Sequence, residues 1–342
     1  DSPAVLLPNC TAANRAVNLP EFANIPNGAI ESIDVPAVDY RRLMKQATAL
    51  AKSGKLTDAE KYLRESLALR EDYAATHVAY GFVLDSLNRP NEAVREYSRA
   101  LSLDPAEGGA HRYWAQTLIK ARQIDSAIDH LKRAIQLDPY DDDAYRHWGD
   151  AMALVGRDAE ASACYKKALE LNSENVFAHN NFGQVLTRIG QPEEALQHFR
   201  EAVKHDERFA SGYANEGAVL ARLGRAAEAV PLYRRAIELD PNHAAAHCNL
   251  ALLLATHGDP SVRDGQEAVR FAQRACELTG NKNVLCLTAL AASYAEVGDF
   301  EQARRSAESA IGLVPAGSPH ARDLEASVLL PITHRQPVRR SN

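Results

Sequence analysis

The sequence predicts an all-α fold: a right-handed superhelical solenoid of about eight stacked helix pairs, with an extended N-terminal arm and a C-terminal capping helix. Three observations carry that expectation. Alanines recur at a fixed interval, small residues hold constant offsets around them, and turn-forming residues fall between the small positions.

Ala59, Ala93, Ala127, Ala161, Ala195 and Ala229 follow one another at 34-residue spacing. Twelve residues before them stand Ala47, Gly81, Ala115, Gly149, Gly183 and Gly217, and seven after them Ser66, Ala100, Ala134, Ala168, Ala202 and Ala236. Small residues belong where two helices cross closely, and Tyr97, Leu131, Tyr165, Phe199 and Tyr233 fill the space beside them. Gly54, Gly156, Gly190 and Gly224 mark the end of a first helix, and Pro90 or Pro192 the start of a second. Asp104-Pro105, Asp138-Pro139 and Asp240-Pro241 close the second helix, because proline disfavours helical geometry in the residue before it.

The spacing divides the chain into units 40–73, 74–107, 108–141, 142–175, 176–209, 210–243, 244–283 and 284–317. The seventh unit carries an insertion within Asp259 to Gln266, at the turn between its helices, and Pro231 is expected to bend the second helix of the sixth. Residues 1–39, with Pro3, Pro8, Pro20, Pro26 and Pro36 among short apolar runs, make the extended arm. Residues 318–342 supply the capping helix, with Ala321, Leu324 and Val328 on one face, and then a basic tail.

Small residue, turn glycine, alanine, bulky residue, alanine and proline at this spacing resemble the tetratricopeptide repeat family over about residues 40 to 317. Stacked helix pairs of that kind leave the first helices lining a concave groove. Asn181, Asn215 and Asn249 hold the same position in consecutive units, and an amide offers donor and acceptor together, so it grips a peptide backbone without reading sequence. The row resembles the asparagine ladder in the repeat superhelix of the O-linked N-acetylglucosamine transferases, which implies binding of extended peptides. An equally simple account is that asparagine is common at this place in the repeat. No glycosyltransferase domain accompanies the row, so transfer chemistry is not expected of this chain.

Arg112, Arg146, Lys120, Arg188 and Arg222 are expected to make the groove locally basic and suited to an acidic or carboxylate-bearing ligand, although solvated surface charge explains them equally well. The carboxylate clamp of chaperone-binding relatives is not matched, since Thr48, Phe82, Gln116, Asp150 and Gln184 stand where that clamp needs asparagine.

A net charge of −6 without a basic cluster argues against nucleic acid as a partner, and no apolar run approaches the roughly 20 residues of a membrane span. Phosphate-loop, nucleophile-elbow and zinc-protease motifs are missing, so no catalytic residue and no cofactor is predicted. The acidic turn Asp138 to Asp143 lacks the glycine and glutamate of a calcium loop, and His77, His111, His179 and His247 read as half-buried core residues. His243 and His247 beside Cys248 form the one cluster with ligand-like spacing, and no metal is assigned to it. Five cysteines are too few for a disulfide scaffold. Asn9-Cys10-Thr11 is a possible glycosylation sequon, relevant if the chain is exported after signal-peptide removal; a cytoplasmic location is the alternative. The expected function is a non-enzymatic scaffold binding a protein or peptide in the groove. Its alternative is a structural subunit that self-assembles head-to-tail with other copies through the arm and solenoid ends.

Overall fold

The computed structural model describes residues 35–339, which form two compact units, 35–181 and 182–339. Asn9, Cys10 and most of the arm lie outside the described residues.

In the first unit the helices are α1 (Val35–Lys52), α2 (Leu56–Leu69), α3 (Ala74–Ser86), α4 (Pro90–Leu103), α5 (Gly108–Lys120), α6 (Ile124–Leu137), α7 (Asp142–Leu154) and α8 (Asp158–Leu171). The division between the units falls inside α9 (Val176–Arg188). The second unit continues with α10 (Pro192–His205), α11 (Ala210–Arg222), α12 (Ala226–Leu239), α13 (Ala244–Thr256), α14 (Gly265–Leu278), α15 (Val284–Glu296) and α16 (Phe300–Gly312). It ends with α17 (Pro319–Leu324), a π turn (Glu325–Leu329) and α18 (Leu330–Thr333). No strand occurs among the described residues. Within each unit consecutive helices pack as hairpins, α1 on α2, α3 on α4, α13 on α14, and successive first helices also touch, as α5 does α7.

Two local devices repeat. Every first helix except α13 ends in a left-handed residue whose successor bonds back across the last turn: Lys55 N to Leu50 O at 2.9 Å with Gly54 at φ 77°, and Arg157 N to Met152 O at 3.0 Å with Gly156 at φ 76°. Asn88 and Arg122 occupy the same place at φ 61° and 62° without being glycine. The second device closes the second helices. Asp104, Asp138, Asn172, Asp206 and Asp240 each turn a side-chain oxygen onto the backbone N–H two residues on, at 2.9 to 3.1 Å. These side chains make the tight inter-repeat turn that the Asp-Pro pairs announce.

Core size is matched across each hairpin. Where the small position is glycine, the residue sixteen on is aromatic: Gly81 with Tyr97, Gly149 with Tyr165, Gly183 with Phe199, Gly217 with Tyr233. Where it is alanine, the partner is leucine: Ala47 with Leu63 and Ala115 with Leu131, all four buried. Burying each ring removes enough apolar surface to contribute roughly 2 kcal/mol, and the glycine is what lets the ring in.

Two expectations are corrected. Helix begins at Val35 rather than Tyr40, because Pro36 sits in the first turn of α1, where a missing N–H breaks no helical bond. The capping segment buries Ala321, Leu324 and Val328 as expected, but the π turn interrupts it just before Pro331, whose ring a continuous α-helix would reject. Pro231 lies inside α12, which continues through it.

Candidate functional site

In residues 35–181 the first helices α5, α7 and α9 bring Arg112, Arg146 and Asn181 into one row of ion pairs and hydrogen bonds, through aspartates that stand between them. Arg112 Nε lies 2.8 Å from Asp141 Oδ2, and its Nη1 3.5 Å from Asp143 Oδ2. Arg146 donates from Nε to Asp143 Oδ1 at 2.8 Å and from Nη1 to Asp150 Oδ2 at 3.1 Å. Asp150 Oδ1 accepts from the Tyr165 hydroxyl and from the Asn181 amide, both at 2.8 Å. Asn181 in turn accepts from Asn180 Nδ2 at 3.0 Å.

Burial opposes ionisation of Asp143, but the charges of Arg146, His147 and Arg112 outweigh it and hold the carboxyl below its ordinary range. Asp150 is lowered in the same way, against its burial, by His147, Arg146 and Tyr165. His147 is pushed the other way by burial and by Arg146, whose Nη2 lies 3.0 Å from its Nε2. Its Nδ1 faces Asp150 Oδ2 at 3.4 Å.

The expected basic character is therefore corrected. The side chains of Arg112 and Arg146 are only 14% and 11% exposed, and three carboxylates face two guanidinium groups. Lys120 pairs with the buried Asp85. Short reach across adjacent first helices, rather than projection into solvent, decides the fate of these cations. Beside the row, a hollow of about 310 Å³ is bordered by Val78, Glu107, Arg112, Tyr113, Leu137 and Asp141. The Tyr113 hydroxyl is buried there without a hydrogen-bond partner among the described residues.

In residues 182–339, Arg188 and Arg222 are exposed at the ends of α9 and α11, and Arg222 Nη2 reaches Thr187 O at 3.5 Å. Asn215 and Asn249 are half-buried on α11 and α13. Asn249 makes no side-chain hydrogen bond among the described residues. The asparagines thus fall into different units, Asn181 in the first and the other two in the second.

Sequence reading missed the aspartates of the row. Asp141 and Asp143 belong to the acidic turn before α7, where Asp141 Oδ1 caps α7 through Ala144 N at 3.0 Å and Asp142 Oδ2 takes the amides of Asn172 and Asn175 at 3.0 and 2.6 Å. In the sequence Asp150 stands out only as a departure from the clamp pattern. The histidines also do more than fill space. Nε2 of His77, His179 and His247 meets the carbonyl six residues earlier, in Glu71, Ser173 and Pro241, at 2.8, 3.0 and 3.0 Å. His243 Nδ1 caps α13 by accepting from Ala246 N at 3.1 Å.

A model described as TPR repeat matches residues 217–258, and models described as tetratricopeptide repeat match 164–197 and 284–309. The chain carries tetratricopeptide repeats. A bacterial transcriptional activator domain model also matches, over residues 37–176 of the repeat array. Among solved structures, a chain of the APC/C hetero-tetramer Cut9–Hcn1 is 20% identical with TM-score 0.63, covering 76% of this chain and 52% of that one. Pseudomonas aeruginosa pilF is 18% identical with TM-score 0.52, covering 61% of this chain and 95% of that one. YrrB, described as a TPR protein with an unusual peptide-binding site, is 22% identical with TM-score 0.40, covering 54% and 95%. No curated protein matches the sequence. The first two of these structures agree with the helical repeat fold of the chain.

Proposed function

We propose that this tetratricopeptide repeat chain is a non-enzymatic protein-binding scaffold whose first-helix face takes an extended peptide. The observation that supports it most directly is the locked row on α5, α7 and α9: Asp150 accepts from Asn181, Tyr165 and Arg146 at 2.8 to 3.1 Å, so the polar groups are oriented before a ligand arrives. Such a row gains affinity by meeting backbone amides. Three carboxylates against two guanidinium groups favour a neutral or basic peptide over the acidic one expected from the arginines and Lys120 of the first helices. Asn249, half-buried and without a side-chain bond among the described residues, offers a similar grip in the second unit. Lys120 in the first unit, and Asn215, Arg188 and Arg222 in the second, are assigned as secondary contacts, each within its own unit. Self-assembly through residues 1–39 draws no support from the described residues.

Fluorescence polarisation with unstructured peptides of matched length, differing only in charge, tests this. Neutral and basic series should bind, and Asn181→Ala with Asn249→Ala should weaken them about five- to tenfold. No retention of any series, or affinity unchanged in the double variant, would overturn the reading.

A further inference from the structure

The connector between α13 and α14 spans residues 257–264, against 223–225 between α11 and α12. Its Arg263 is folded inward. Arg263 Nη1 donates to His257 O at 2.9 Å and Gly258 O at 3.0 Å, while Nε meets Glu296 Oε1 at 3.0 Å. The other oxygen of Glu296 faces elsewhere: Arg339 Nη1 meets Glu296 Oε2 at 2.5 Å and Ala255 O at 3.4 Å. Arg339 thus contacts a residue 84 positions back in the chain.

The segment reaches this place by a reversal after α18. Arg335 takes φ 57°, its N–H bonds Ile332 O, and Gln336 N bonds Pro331 O, each at 2.9 Å. Beyond the reversal residues 336–339 have no regular structure, and Val338 is buried at 7% exposure between exposed neighbours. One apolar side chain and one guanidinium hold it, which is how a short linear ligand binds a surface. The surface is suited to a cation on two counts: the end of α13 presents carbonyls without helical donors, and Glu296, with its side chain 15% exposed, is held in place by Arg263.

We infer that Glu296 and the C-terminal end of α13 form a second binding site, specific for an arginine preceded by an apolar residue, and that Val338-Arg339 occupies it as an intramolecular ligand. Tethering gives the segment a local concentration near millimolar, so a partner polypeptide of the same apolar–arginine chemistry enters only by displacing it. The site lies at helix ends in the second unit and is independent of the row on α5, α7 and α9.

The probe is a fluorescein-labelled peptide of residues 336–342, and the protein is the full chain beside the same chain ended after Gln336. The shortened chain should bind the peptide at least about tenfold more tightly than the full chain does. Full-length Arg339→Ala should bind the peptide as the shortened chain does, and Glu296→Gln in the shortened chain should lose about tenfold. Binding equal in all proteins, or none to a shortened chain that melts like the full one, would overturn the inference. Should Glu296→Gln fail to fold, the Arg339→Ala comparison alone decides.

Discussion

The Asn181 side chain donates its amide to Asp150 at 2.8 Å, so one residue of the asparagine row is tied to a carboxylate on the preceding first helix. The same carboxylate holds Arg146 and Tyr165. A polar face organised in this way is rigid as well as adhesive, since each group is fixed by a neighbour whose own position is fixed by helix packing.

Removing Asp150 should therefore cost more than a surface charge does. Asp150→Ala leaves Arg146, His147, Tyr165 and Asn181 short of an acceptor, and a loss of about 3 kcal/mol in urea unfolding is expected. Asp150→Asn, which still accepts from Tyr165 and Asn181, should lose clearly less. Equal, small losses for both would show that the network contributes little.

The glycine–aromatic pairing makes a sharper comparison. A methyl on Gly149 would fall 2.6 Å from Tyr165 Cε1, whereas one on Gly217 would fall 3.1 Å from Tyr233 Cε1. Gly149→Ala must displace a buried ring and should cost about 1–3 kcal/mol. At Gly217 the helix propensity of alanine, about 1 kcal/mol, opposes a much smaller clash, so Gly217→Ala should be near neutral. Paired thermal melts read the difference directly.

Arg122 holds the left-handed turn position, φ 62°, that is glycine at Gly54, Gly156, Gly190 and Gly224. Arg122→Gly should raise stability by about 1 kcal/mol, because the Cβ that resists this conformation is removed. Asn88→Gly should gain less, asparagine tolerating the region better. A fall in melting temperature for Arg122→Gly would contradict the steric account.

Two histidines should give opposite pH signatures. Burial, then the neighbouring His130 and Arg133, push His111 down to about 4, from an ordinary value of 6.5. The unfolded chain then takes up that proton first, so the His111 contribution is present above 6.5 and is lost as pH falls towards 4. For His77 burial works against charge, but the Glu96 hydrogen bond, the Glu71 carbonyl and the Glu96 charge prevail and raise it. Its contribution is complete below 6.5 and is lost as pH rises through the raised value. Melting curves across pH should show His111→Gln flattening the acid side and His77→Gln the neutral side.

Much of the fold is legible in the residues themselves. The 34-residue interval from Ala59 to Ala229, the turn glycines and the Asp-Pro pairs are each a local rule repeated, and repetition turns weak local signals into a strong one. The candidate site is legible only in outline. Arg112 and Arg146 could be placed on first helices, but whether their guanidinium groups met solvent or carboxylates depended on Asp141, Asp143 and Asp150, and no local pattern joins Asp150 to Asn181 across 31 residues. The contact of Arg339 with Glu296, 43 residues apart, left no trace beyond an unexplained insertion and a basic tail.

Periodicity and residue size settled that helices pair and which faces they bury, since both follow from spacing along the chain. Charge pairing, the buried Val338 and the reversal at Arg335 were settled by packing in three dimensions. Electrostatic energy depends on distances of a few ångströms between groups far apart in sequence, and those distances exist only once the helices have stacked.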